Sequence, residues 1–114
     1  MRPDDMLLLD MLLAAQDACK FVRGRTRDEF AQDTMMQLAT VKAIEIVGEA
    51  ASRISESFRL SHPEIPWEKI IGMRHRLVHD YFSLDLDIVW KTANEELLSL
   101  IAALEPLVPP EEST

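Results

Sequence analysis

Apolar residues recur at three- and four-residue intervals through most of this chain. No segment alternates apolar and polar positions between turn signals long enough to read as a sustained strand. The pattern predicts a first helix from about Asp4 to Val22. Asp4 and Asp5 suit the positive end of its dipole. Met6 to Ala15 is apolar except for Asp10, so this helix is expected to be buried on more than one side. Gly24 is the expected stop. Thr26, with Glu29 three residues on, reads as a capping box that opens the next helix.

That second helix is predicted as one long element from about Arg27 to Phe58, roughly 45–50 Å at the α-helical rise. Leu38, Val41, Ile44, Val47, Ala51, Ile54 and Phe58 form one apolar stripe along it. A second set, Met35, Met36, Ala39, Ala43, Ile46 and Ala50, lies away from the first. One small bundle covers a single face of such a helix easily; two faces point to a second copy of the chain, a homodimer. A central helix in a monomeric bundle is the alternative. Gly48 sits mid-helix at a cost of about 1 kcal/mol relative to alanine. It therefore predicts close approach of another backbone, such as one across a dimer interface.

The segment 60–66, Leu-Ser-His-Pro-Glu-Ile-Pro, breaks the pattern with two prolines. Pro66 suits the first turn of a third helix over about 66–81. Ser83, Asp85 and Asp87 supply caps for a fourth over about 86–105. Its expected buried side is Val89, Trp90, Ala93, Leu97, Leu100, Ile101 and Leu104. Residues 106–114, rich in proline and acid, are expected to be a frayed tail. The reading is all-α: one domain over 1–105, folded as an antiparallel bundle of four to five helices.

Composition sharpens this picture at a few points. At 114 residues and 47% apolar, the chain is long enough to bury a core without staples. Cys19 is the one cysteine, which excludes an internal disulfide and fits a reducing compartment; its apolar setting predicts an inert buried thiol. No stretch reads as a signal peptide or a membrane span, so the expectation is a soluble, cytoplasmic protein. The net charge of −8 argues against broad nucleic-acid binding. Its distribution says something different. Lys20, Arg23, Arg25 and Arg27 form one acid-free cluster, and Lys69, Arg74 and Arg76 form another. That suits a local phosphate site on an acidic body, although solvated helix ends account for the charges equally well.

The chemistry-bearing stretch is Met73-Arg74-His75-Arg76-Leu77-Val78-His79-Asp80-Tyr81-Phe82. Cleaving RNA through its own 2′-hydroxyl needs a base, an acid for the leaving 5′-oxygen, and a cation to hold the phosphorane charge. Histidine titrates near neutrality and suits the proton transfers. Arginine binds two phosphate oxygens with its planar fork and keeps its charge. Arg74 and His79 have these types, and no metal or other cofactor is required. On an ideal helix, residues five apart differ by roughly 140°. The two would not share a face unless the helix loosens near its end, but a twofold pair of chains could pool them in one cleft. Tyr81, seven residues after Arg74, would return to within about 20° of it on such a helix. His75 and His79 also have the spacing of two metal ligands, but no further ligand is recognisable near them. Types and spacing alone fit positive charges at a helix C-terminus better than catalysis. Asp80 either orients His79 or is simply exposed.

Arg74-x4-His79-x-Tyr81 resembles the Arg-x4-His-x-Tyr motif of the HepT branch of the HEPN superfamily. Ala43 to Ala51, with its Gly48-Glu49-Ala50 core, resembles that family's second-helix segment. Pro66-Trp67 through Gly72-Met73-Arg74, and the trailing Phe82 to Asp85 and Val89-Trp90, fit as well. The resemblance implies a HEPN-like helical bundle that dimerises, with both motifs in a shared cleft. It implies a toxin that cleaves cellular RNA (mRNA or tRNA) without metal, with Arg74 and His79 catalytic. It also implies an antitoxin partner, an MntA-like nucleotidyltransferase that transfers AMP from ATP to the motif tyrosine, here Tyr81. The residue after the motif arginine is often asparagine in this branch; here it is His75, which with Arg76 is expected to contact substrate. Glu45 and Glu49, one turn apart, are placed to pair with Arg74 or Arg76. Two other readings stay open at this point. One is a non-catalytic helical partner of a nucleotidyltransferase. The other is a DNA-binding regulator, which the acidic charge and the lack of a short turn-linked recognition helix disfavour.

Overall fold

The computed structural model describes residues 3–80 and 83–110, with residues 78–80 described as backbone alone. It is a helical bundle. The first helix, α1, runs from Pro3 to Val22 and carries Asp4 and Asp5 in its first turn. Gly24 follows with a φ of 75°, a left-handed value that glycine adopts without a side-chain penalty. The capping box is complete: the Thr26 hydroxyl accepts from the Glu29 amide, and the Glu29 carboxylate accepts from the Thr26 amide.

The long second helix is instead three helices, α2 (Arg27–Gln32), α3 (Thr34–Arg53) and α4 (Glu56–Ser61). Asp33 makes the first break. Its backbone is extended, and its carboxylate accepts from the Met36 amide to start α3. Gln37 reaches back and donates to the carbonyls of Phe30 and Ala31, satisfying the end of α2. Ser55 makes the second break. It caps α4 through the Phe58 amide, and Asp4 on α1 accepts from both its amide and its hydroxyl. Polar side chains thus outcompete helix continuation at both points, from nearby residues at Asp33 and with the help of Asp4 on α1 at Ser55. The 20 residues of α3 span about 30 Å rather than the length expected for the whole segment.

The pairing of α1 with α3 is the most extensive in the molecule, and α3 also packs on α5. The buried arc of α3 is therefore wide. Val41, Ile44, Val47 and Ala51 are buried, but so are Met36, Ala43 and Ala50 from the second set; Leu38 is exposed instead. Gly48 does mark a close backbone approach, and the backbone is that of α5 (Trp67–Ile71) in the same chain rather than a partner's.

The segment predicted as a third helix also divides. Gly72 joins α5 to α6 (Met73–Leu77), after which the chain becomes extended. Val78–Asp80 (β1) pairs antiparallel with Ser83–Leu84 (β2). The amide of Asp85 donates to the Leu77 carbonyl at 2.8 Å, taking an acceptor at the end of α6. A short ladder thus replaces the last predicted helical turn.

Asp85 caps α7 (Leu86–Lys91) through the Ile88 amide. A π-helical turn, Thr92–Glu96, leads into α8 (Leu97–Leu104) and a 3-10 turn, Glu105–Leu107. The buried positions Val89, Ala93 and Leu97 advance in steps of four. At 3.6 residues per turn such steps drift off one face, and the wider π turn absorbs the extra length. Leu107 and Val108 pack against the core. Cys19 is buried and donates its thiol to the Ala93 carbonyl in that π turn, at 3.2 Å. Burial pushes its pKa up, against a smaller lowering from Arg23. Among the described residues, no helix is long and apolar enough to cross a membrane.

Candidate active site

Gly48 and Gly72 together set the position of Arg74. The missing side chain at Gly48 lets the carbonyls of Ile70 and Ile71 lie against α3. Gly72 then redirects the chain so that α6 starts beside α3, and Arg74 projects from its first turn. The Arg74 side chain is 67% exposed, and its Nε lies 3.6 Å from Oε1 of Glu45, which is half-buried on α3. The pairing expected from the spacing of Glu45 and Glu49 is therefore made by Glu45.

Arg74 opens onto an open cleft of about 450 Å³ between α1 and α3. Leu7 and Asp10 line it from α1, and Lys42, Glu45, Ile46, Glu49, Ala50 and Arg53 from α3. Three acids and three bases, Arg74 included, share this wall. Sequence reasoning did not find Asp10, Lys42 and Arg53 as neighbours of Arg74. They read as solvated helix positions; Lys42 and Arg53 share the face of α3 that carries Glu45 and Glu49, and Asp10 joins them through the α1–α3 packing. Met35, Leu38 and Ile46 on α3, and Met6 and Leu13 on α1, are exposed apolar residues of the same two helices.

Arg76 takes a different direction. Two residues apart on a helix is roughly a half-turn. Arg76 is held on the other side of α6 by Glu96, with Nη2 3.7 Å from Oε2. Glu96 also faces Lys69, 3.4 Å from Nζ. The structure therefore does not bring Arg76 to the Arg74 cleft. Glu96 was illegible as a partner because its place depends on the π turn that ends there. His75 is exposed on α6 between the two arginines.

His79 stands in β1, in the extended stretch and not on the helix. The helical angle between Arg74 and His79 thus does not apply, and the helix does loosen before His79. The same holds for the helical phase that placed Tyr81 beside Arg74, because the helix ends at Leu77. The side chain of His79 and the whole of Tyr81 lie outside the described residues. Sequence places Tyr81 between the paired strands β1 and β2.

The basic cluster near the end of α1 is spread over helix end and loop. Lys20 is in the last turn of α1, and Arg27, at the start of α2, pairs with Asp87 on α7.

A family model described as "Ribonuclease HepT-like" matches residues 11–107. The chain is 40% identical over 88 residues to "Probable ribonuclease HepT" of Thermococcus cleftensis, covering 77% of this chain and 80% of that protein. It is 36% identical over 90 residues to a Methanocaldococcus jannaschii protein named "Putative RNase", covering 79% and 83%. A Caldanaerobacter subterraneus protein of the same name is 36% identical over 86 residues, covering 72% and 77%. No solved structure matches the chain.

Proposed function

Because this chain belongs to the HepT-like ribonuclease family, we propose that it cleaves RNA without a metal ion, using Arg74 and His79. The observation that carries this reading is the exposed Arg74 guanidinium at the mouth of the α1–α3 cleft. The 2′-oxygen of one nucleotide attacks the adjacent phosphorus as its proton leaves to a base. The phosphorus–5′-oxygen bond breaks, and an acid protonates the departing oxygen. His79 handles protons, and Arg74 neutralises the charge that builds on the non-bridging oxygens. The products are a 2′,3′-cyclic phosphate and a 5′-hydroxyl. His75, exposed beside Arg74, and Arg76 contact the substrate backbone; Arg76 does so once its pairing with Glu96 yields to phosphate.

The working form is a homodimer. Exposed Ile46 lines the Arg74 cleft, and α1 and α3 carry further exposed apolar residues, which supports a twofold contact that brings two Arg74 side chains near one another. The balance of acids and bases around the cleft also suits a self-complementary surface.

In the cell the protein acts as the toxin of a toxin–antitoxin pair, with an MntA-like nucleotidyltransferase as antitoxin. The phenol oxygen of Tyr81 attacks the α-phosphorus of ATP, pyrophosphate leaves, and the phenolic proton passes to a base. The bound AMP places a negative phosphodiester and a bulky nucleoside near the motif, where they oppose RNA binding. Tyr81 follows His79 by two residues in the sequence, so a group attached to it stays close to the motif along the chain.

Incubation of purified, AMP-free protein with total tRNA in EDTA tests the activity. Cleavage that disappears with His79→Ala is the expected result. No cleavage by such a preparation would favour a non-catalytic partner of a nucleotidyltransferase.

A further inference from the structure

Arg74 is mostly exposed, and an exposed arginine side chain samples many rotamers. A transition state needs its cation in one place, because a misplacement of about 1 Å can cost on the order of 100-fold in rate. Glu45 supplies a constraint. Its side chain is half-buried on α3, and α3 is packed on both α1 and α5. It approaches Arg74 at Nε, the inner nitrogen of the guanidinium. Four of the five guanidinium N–H bonds belong to the outer Nη nitrogens, so a contact at Nε leaves the phosphate-binding edge available.

We propose that Glu45 is the positioning residue of the Arg74 site, aiming the guanidinium by holding its Nε edge while the Nη donors meet the RNA phosphate. The proposal rests on the ribonuclease reading above for its catalytic consequence, though not for the contact itself. The backbone supports it through Gly48, one turn after Glu45. The close approach of Ile70 to Gly48 brings α6, and with it Arg74, within reach of the carboxylate. Among the described residues, the other charged side chains lining the Arg74 cleft are Asp10 from α1 and Lys42, Glu49 and Arg53 from α3.

A carboxylate beside a substrate-binding arginine can instead act as a competitor of the RNA phosphate. The two roles leave different kinetic signatures. A competitor, once removed, lowers KM and raises kcat/KM. A positioning residue, once removed, lowers kcat and leaves KM nearly alone, because the loss is felt mainly in the transition state.

The test uses Glu45→Gln, which keeps the shape and removes the charge, and Glu45→Asp, which keeps the charge on a shorter stem. Nitrogen-15 relaxation of the Arg74 Nε–H group in the whole protein reads the contact directly. In the wild type this group is expected to be more ordered than that of the exposed Arg25, and in Glu45→Gln to become as mobile as Arg25. Steady-state cleavage reads the consequence. Glu45→Gln is expected to lower kcat by about 10- to 100-fold with KM changed by less than about threefold, and Glu45→Asp to fall between it and the wild type. Equal mobility of Arg74 in wild type and Glu45→Gln overturns the proposal, as does a Glu45→Gln enzyme with unchanged or raised kcat. A wild type that cleaves no RNA overturns the ribonuclease reading instead, and the relaxation comparison still decides whether Glu45 holds Arg74.

Discussion

Gly48 and Ile70 meet backbone to backbone: a β-carbon at Gly48 would stand 3.1 Å from the Ile70 carbonyl oxygen. That separation lets α5 lie on α3 and so fixes where α6 begins. Gly48→Val gains helix propensity but places branched methyl groups against a carbonyl that a helix holds in place. We expect the overpacking to win and to cost about 1–3 kcal/mol. Chemical denaturation measures it. The same variant should lose cleavage activity even where it is fully folded, because moving α5 separates Arg74 from Glu45.

The capping box at Thr26 predicts a pH dependence. Glu29 has its pKa lowered, chiefly because its carboxylate accepts from the Thr26 backbone amide, with a smaller contribution from the Thr26 side chain. A folded-state pKa below the unfolded value means that the unfolded chain binds protons first as pH falls. The stabilisation is therefore present above the unfolded carboxylate pKa and is lost as pH drops through the folded one. Glu29→Gln should lower the denaturation midpoint at pH 7 and leave it nearly unchanged at a pH below both values. Thr26→Ala, which removes the cap itself, should cost about 1 kcal/mol at neutral pH.

Much of the fold was legible, and the failures share one cause. Gly24, the Thr26–Glu29 box, the Asp85 cap and the buried side of the last helix were readable because each depends on neighbours within four residues. The break at Ser55 was hidden inside the apolar stripe from Leu38 to Phe58, and the break at Asp33 falls just before that stripe, where no glycine or proline marks it. Asp33 has a cap's chemistry, but only Gln37 folding back onto Phe30 makes ending a helix there favourable, and Ser55 is secured by Asp4 from α1. The ladder after Leu77 was missed for the same reason, since β1 forms only with its partner β2. At the site, Arg74 with Glu45 was readable from charge and spacing. Asp10 was not, because its place on the cleft comes from packing between helices; Lys42 and Arg53, on the α3 face of Glu45 and Glu49, carried no signal that set them apart from other solvated positions.

A dimer through the α1–α3 face predicts a specific sensitivity. Met35 is 82% exposed and Ile46 is 41% exposed, with Ile46 in the wall of the Arg74 cleft. Met35→Glu or Ile46→Glu would put a charge into the contact at little cost to the isolated chain. Light scattering at micromolar concentration should show a dimer for the wild type and a monomer for either variant. Cleavage should fall with dimerisation. A monomeric wild type would remove the shared-cleft mechanism.

On the proposed function, Tyr81→Phe should separate toxicity from its control, because the proposed modification needs the phenol oxygen and the proposed cleavage chemistry does not. Co-expression with an MntA-like nucleotidyltransferase, followed by intact-mass measurement, should show one or more AMP additions on the wild type and none on Tyr81→Phe. The variant should retain nuclease activity and escape neutralisation. Full neutralisation of an unmodified wild type would mean that the partner inhibits by binding.

Single-turnover cleavage in EDTA, with identification of the product ends, decides whether Arg74 and His79 carry out RNA cleavage. The wild type should yield a 2′,3′-cyclic phosphate and a 5′-hydroxyl. Arg74→Ala and His79→Ala should each slow the step by two to four orders of magnitude, about 3–5 kcal/mol in the barrier, with helical circular dichroism retained. Wild-type protein shown by mass to be free of AMP and yet unable to cleave, or folded variants that cleave at the wild-type rate, would contradict that role.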